Sequence, residues 1–519
     1  MNYHYNVSGT CLWSSGPSHP SCYRIMKAPV VGALSLSALA ISTARCSTCC
    51  SALAALPELQ GKVYAPDTTN YNLRLKTYYS ANAALAPWCM VLPESTEDVS
   101  SVARTIFQEE CPFGIRSGAH SAFKGANGIK EGITIDFGYM NTTTYSQETK
   151  IASIQPGSRW GQVYETLDEY GVAAVGARAD VVGVGGFTTG GGYSFYSNSR
   201  GFACDMVANF EVVLANGRVV NANEHDNSDL WKSLKGGSGN FGFVTRIDQY
   251  TVESNQLWGG GIAFDLSQRD AVFDAYLKFA DNMDSDPASQ LIVTIGYDGA
   301  QRSLGALLSN VDAVDMAPAF DDFYSIDNTS STLRIEHIAK LVPEFTGGTP
   351  LGLYAHWMTG LTSNDKRIME FIDEKHAEYV EKMKAAAPGS NFAVLILLQP
   401  VTQSMVKHSA ESGGNVLGLE EIVAKGPTIM WLIVVTVDTA ENQEKIHPLT
   451  IEFRDAVNKY ANSIGANKNW AYLNYALGDQ DPIAGYGAEV VQFLKATSHK
   501  YDPKGVFQKL RGSGFKLPA

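Results

Sequence analysis

Positive charge is scarce in this chain. Lys and Arg number 40 against 53 Asp and Glu, for a formal net charge of −13, and the first 50 residues contribute Arg24, Lys27 and Arg45 without an acid. A body this acidic repels phosphate backbones and anionic lipid headgroups, which argues against nucleic-acid binding and peripheral membrane attachment. Long apolar runs are missing too: the stretch Ala28 to Ala44 is short for a membrane span. Cysteine is sparse, and Cys89, Cys111 and Cys204 in the body show no metal-ligand spacing. Neither glycine-based nucleotide signature is complete. Gly183-x-Gly185 is followed by Thr188 where G-x-G-x-x-G would place its third glycine, and no G-x-x-x-x-G-K-[S/T] lies near Gly236-Gly237-Ser238-Gly239. A P-loop NTPase is thereby excluded. Internal repeats and low-complexity tracts are absent.

With 519 residues, 45% hydrophobic and 18% charged, the chain reads as globular and too long for one ordinary core, so two domains are expected. Residues 1–50 read as a leader. Met26-Lys27 opens the small and apolar run, and Ala38-Leu39-Ala40 has the form of a cleavage site, together the layout of a secretory signal over 26–44. Cys11, Cys22, Cys46, Cys49 and Cys50 fall in that leader. An oxidising compartment would let Cys89 pair with Cys111 and leave Cys204 a buried thiol. Asn6, Asn141 and Asn328 head N-x-S/T sequons, which matter only for a secreted chain.

From Pro87 to Val252, short apolar runs alternate with helical stripes. Strands are expected at 88–92, 113–116, 133–137 and 241–252, and helices at 99–108, capped from Ser95, and 159–170. Asn216-Gly217 marks a hairpin within 211–220. Beyond Ser254 the texture changes to long amphipathic helices at 268–283, 364–387 and 440–461, with strands at 290–296, 351–361, 392–399 and 429–437. That pattern suggests an α+β domain whose sheet is covered on one face. The domains are therefore drawn at 83–254 and 255–465, with 466–519 returning to complete the first.

Two segments carry chemistry. His120 sits in Arg116-Ser117-Gly118-Ala119-His120-Ser121, a strand-to-loop turn whose small residues leave room for a planar group beside the imidazole. Residues 183–192 hold six glycines in ten positions, a backbone nest suited to an anion such as pyrophosphate. These join PGSRWGQVYETL at 156–167, VGVGGFTTGGGYSF at 182–195, FACDMVANFEVVLANGRVVNA at 202–222 and DLWKSLKGGSGNFGFVTRI at 229–247. The tail adds Tyr472-Leu-Asn-Tyr475 and Tyr501-Asp-Pro-Lys-Gly-Val-Phe507. In this order the pieces resemble the vanillyl-alcohol-oxidase superfamily with its PCMH-type FAD-binding domain. Within it they resemble the berberine-bridge-enzyme-like oxidases, in particular their fungal members. Residues 255–465 match only loosely.

The resemblance implies FAD bound covalently, with His120 joined to its 8α-carbon. Relatives with a second attachment use a cysteine where this chain has Ala179, so a single link is implied. It assigns cofactor contacts to Arg116, Ser117, Gly118, Ala119, Ser121, Val182, Gly183, Gly185, Gly186, Thr188, Gly190, Gly191, Gly192, Gly242, Val244 and Asn474. Ala119 replaces a usual glycine, harmless unless the position needs positive φ. Tyr193, Tyr472 and Tyr475 are candidates for the base that takes a hydroxyl proton, with aromatic packing as the alternative role of each. Val182 stands where family members gate oxygen. Tyr354, His356, Trp357, Gln399 and Asn415 are weaker pocket candidates, each equally readable as core or loop. The implied activity is an oxidase that dehydrogenates an alcohol, or a C–H or C–N bond, of a small organic molecule and passes electrons to O2. A secondary metabolite is the expected substrate and an oligosaccharide the alternative. An oxidase-derived cyclase and a non-catalytic flavin-binding protein are the competing classes. No metal, nucleic-acid or membrane partner is expected of the mature chain.

Overall fold

A computed structural model describes residues 48–346 and 351–519. The signal-like segment 26–44, Cys11, Cys22, Cys46 and the Asn6 sequon lie outside the described residues. The first half of the chain builds two small sheets. In the four-stranded sheet, Cys89–Val91, Ile133–Asp136 and Phe113–Arg116 run parallel, and Val63–Tyr64 adds an antiparallel edge. Helix Thr96–Glu109 makes the crossover, and Ser95 Oγ accepts from the Asp98 N–H as its cap. The second sheet is antiparallel and centred on Phe243–Val252, with Val207–Val213 and Val219–Asn223 forming the hairpin expected around Asn216-Gly217.

The expected Cys89–Cys111 pair does not form. Cys49 bonds Cys111 and Cys50 bonds Cys89, and Cys204 remains a buried thiol. The strand order explains this. Ile133–Asp136 lies between the strands that carry Cys89 and follow Cys111, so the two sit roughly 10 Å apart across the sheet, beyond disulfide reach. Cys49 and Cys50, read as leader, instead belong to the packed body with Leu53 and Leu59, in one core with Val99, Val102 and Ile106.

The second half is an eight-stranded antiparallel sheet. Helices Arg269–Asn282, Lys366–Ala386 and Ala440–Ser463 pack on one face of it. Strand Ala393–Val401 shows the alternation that makes this work. Val394, Ile396 and Leu398 enter the core beneath the helices, while Leu395 and Leu397 face the other way, onto a cavity. Four strands of this sheet were not foreseen, Gln256–Phe264, Arg302–Asn310, Asn328–Ser331 and Arg334–His337. The first contains Gly259-Gly260-Gly261, which erases the side-chain alternation that marks a strand. The tail returns as expected: Phe113 N–H donates to Leu510 O, and Gly512 N–H to Phe113 O.

Candidate active site

The uncovered face of the large sheet and the two small sheets enclose a cavity of about 1020 Å³, at the upper end of the range for ligand pockets. The loop bearing His120 and the turn at Gly183 meet there. A Cβ on Gly118 would lie 2.3 Å from Gly183 Cα, and one on Gly183 would lie 2.3 Å from Gly118 N. Only two glycines allow that approach. Ser117 secures the contact by donating from Oγ to Pro156 O. The glycine stretch is not one open nest: Val184–Thr189 forms a short helix along the cavity, and Gly190, Gly191 and Gly192 do not line it.

His120 lines the cavity, stacked on Tyr79 with ring centroids 4.3 Å apart and meeting Trp357 edge-on at 5.3 Å. Burial, aided by the Arg159 charge, pulls its pKa down to about 4. The imidazole is therefore neutral at pH 7, which a nucleophilic nitrogen requires. Ala119 before it has φ 55, so the replaced glycine was a position of positive φ and its alanine is held against a steric preference. Its carbonyl accepts from Tyr79 N–H, which ties the strained turn to the stacking ring.

The structure brings most of the predicted cofactor contacts to this wall: Ser117, Gly118, Ala119, Ser121, Val182, Gly183, Gly185, Gly186, Gly242, Val244 and Asn474. Several do not reach it. Arg116 is fully buried in an ion pair with Asp136, which Arg74 also engages, and its guanidinium lies over the Tyr78 ring at 3.9 Å. It anchors the loop from behind. Thr188 is buried, and Gly190, Gly191 and Gly192 pack behind the wall, Gly190 against Asn474 and Gly191 against Leu417 and Tyr472. Of the weaker candidates only Trp357 lines the cavity. His356 stacks on His447 under the helices, Tyr354 packs into that core, and Asn415 bonds Asp205. Gln399 is fully buried and touches the site through Arg178.

All three candidate tyrosines line the cavity, in different states. The Tyr472 oxygen is occupied, accepting from the N–H groups of Gly192 and Tyr193 and from Asn474 Nδ2. Tyr193 donates its proton to Pro400 O at 2.6 Å. Burial pushes both phenols well above the ordinary tyrosine range. Tyr475 differs: its oxygen accepts only from Arg178 Nη2, at 3.4 Å. Arg178 was not singled out from the sequence, although it directly precedes Ala179. Arg511 was also missed. It reaches the cavity wall from the tail, donates to Asn240 Oδ1 and backbone carbonyls, and burial lowers its pKa to about 9.

These residues fit a flavin dinucleotide. The cavity has the size, His120 offers a neutral imidazole, and the glycine backbones leave open approaches, with no atom within 4 Å of a Cβ placed on Gly186.

Comparison with known proteins agrees. A family model described as an FAD binding domain matches residues 87–223. The FAD-dependent monooxygenase drtC of Aspergillus calidoustus is 38% identical over 476 residues, covering 90% of this chain and 90% of that protein. Among solved structures, 6-hydroxy-D-nicotine oxidase of Arthrobacter nicotinovorans has a TM-score of 0.74 at 20% identity, covering 90% of this chain and 99% of that one. The glucooligosaccharide oxidase of Acremonium strictum, described with a 6-S-cysteinyl, 8α-N1-histidyl FAD, has a TM-score of 0.71 at 17% identity, covering 91% of this chain and 100% of that one. At these identities the two structures share the fold alone.

Proposed function

The chain belongs to the FAD-dependent oxidoreductases of the PCMH, berberine-bridge-like family, and from that premise we propose an oxidase with FAD held by one 8α-histidyl link through His120. It dehydrogenates an alcohol, or a C–H or C–N bond, of a small organic molecule. The observation that carries this reading is a neutral His120 on the same cavity wall as Tyr475 and Arg178. Ala179, also on that wall, offers no thiol for a second bond.

Bound FAD supplies a two-electron acceptor, and O2 takes the electron pair with two protons to give H2O2. The chain's own residues supply the rest. Tyr475 accepts the hydroxyl proton, with the Arg178 guanidinium within hydrogen-bond reach of its oxygen. Leu395, Leu397, Leu432 and Val434 form an apolar wall across the cavity, which suits a hydrophobic metabolite better than an oligosaccharide. The two disulfides and the exposed Asn141 and Asn328 sequons support a secretory route.

Acid precipitation tests the cofactor claim. The pellet is expected to be yellow and heavier by one FAD, and His120→Ala is expected to give a colourless pellet; a colourless wild-type pellet from yellow native protein refutes the link. Similarity to the FAD-dependent monooxygenase drtC favours a second reading, a monooxygenase that keeps one oxygen atom in the product. Turnover under labelled O2 separates the two: the oxidase releases one H2O2 per substrate and leaves the product unlabelled. Product analysis in anaerobic single turnover identifies any cyclisation that follows.

A further inference from the structure

The cavity wall around Tyr193 and Tyr475 is rich in N–H donors and poor in acceptors. Arg178 lies over the Tyr193 ring, 4.3 Å from its centroid, and spends Nη2 on Gln399 Oε1 and the Tyr475 oxygen. Its Nη1 is buried without an acceptor. Gln399 Nε2 is in the same state. Gln399 is 0% exposed, so bulk water does not serve it. Arg178 has no carboxylate partner among the described residues, in contrast to the buried Arg116, which is paired with Asp136. A cation and an amide donor left unmatched side by side are costly unless a ligand completes them. What completes them is rich in acceptors and negatively charged.

We propose that Arg178, braced by Gln399, is the specificity-determining residue of this site. The substrate it selects is an apolar ring compound bearing an acidic oxygen (a carboxylate, phenolate or enolate). The guanidinium meets the oxyanion, and the leucine and valine wall opposite receives the ring system. This rests on the reading of the cavity as the substrate site, but its test requires no turnover.

The holoenzyme is titrated with 2-naphthoate and with 2-naphthamide, one ring system with and without charge, and the flavin absorbance shift is followed. Naphthoate is expected to bind about tenfold tighter or better, the worth of a charge-assisted contact in an enclosed site. Arg178→Met abolishes that preference and Arg178→Lys retains part of it. Gln399→Glu, which supplies an internal carboxylate, weakens naphthoate and spares naphthamide, and it serves where Arg178→Met fails to fold. Equal binding of the two ligands, no response to either, or a preference that survives Arg178→Met or Gln399→Glu overturns the proposal. A holoenzyme that discriminates yet releases no H2O2 with any substrate refutes the oxidase reading alone.

Discussion

Gly118→Ala is the most demanding test of how the site is assembled. The added methyl would sit 2.3 Å from Gly183 Cα and 2.5 Å from Gly183 N, where carbon contacts normally rest near 3.5–4.0 Å. Relief therefore requires the His120 loop and the Gly183 turn to part by about 1 Å or more. Neither side yields freely. Gly118 follows a strand whose Arg116 is locked to Asp136, and Gly183 is held by Trp160 N–H on Val182 O and Val184 N–H on Ser158 O. Overpacking costs about 1–3 kcal/mol where side chains move; with backbone on both sides, about 3–5 kcal/mol is expected, and a domain of this size would lose about 6–20 °C in Tm. The same displacement moves His120, so flavin retained after acid precipitation should fall with it. Gly186→Ala is the control. Its methyl meets nothing within 4 Å and lies inside helix Val184–Thr189, so it should be neutral or stabilising by about 0.5–1 kcal/mol in the apo-protein. A Gly118→Ala protein with wild-type Tm and full covalent flavin would refute the reasoning.

Tyr475→Phe should slow turnover by about 10²–10⁴ with flavin content unchanged, whereas Tyr193→Phe, whose proton already goes to Pro400 O, should cost less than about tenfold. Steady-state rates normalised to flavin absorbance decide between them. Removing Cys49–Cys111 by paired serine substitutions should lower stability by about 2–4 kcal/mol, read from denaturant midpoints, because the bond closes a long loop over the four-stranded sheet. His356 and His376 are held neutral, with pKa values brought down to about 3 and about 4 mainly by burial, then by the neighbouring His447 and Arg302. Below the ordinary histidine pKa of about 6.5 the unfolded chain takes up protons that the folded chain refuses, so stability falls as pH drops from there toward 4, by up to about 1.4 kcal/mol per pH unit for each residue, and is flat above about 7.5. Unfolding free energies measured from pH 4 to 8 check this, and His376→Gln should remove about one proton from the slope; an unchanged slope refutes it.

How much could be read in advance differed by element. Helix Thr96–Glu109 was legible because Ser95 and the apolar stripe are local signals. So was the hairpin at Asn216-Gly217. Strand Gln256–Phe264 was not, because three glycines leave no alternation to read, and its place is set by pairing with strands later in the chain. Within the site, His120, Gly183 and the three tyrosines were found because their signals lie in short sequence motifs. Arg178, Arg511 and Tyr79 were missed because each becomes significant only through a neighbour distant in sequence: Gln399 and Tyr475, Asn240, and the His120 ring.

The sequence by itself determined the cofactor family, the α+β division into two domains, and the motifs that place His120 and Ala179 on the wall of one cavity. These depend on residue identity at fixed local spacing. Tertiary structure alone decided which cysteines pair, that Arg116 supports the loop from behind, and which tyrosine keeps an oxygen open to the cavity. It also decided that an arginine without a carboxylate partner among the described residues stands beside that oxygen. Each of these depends on which strands lie between two residues and which donors converge on one atom, and chain order does not encode either quantity locally.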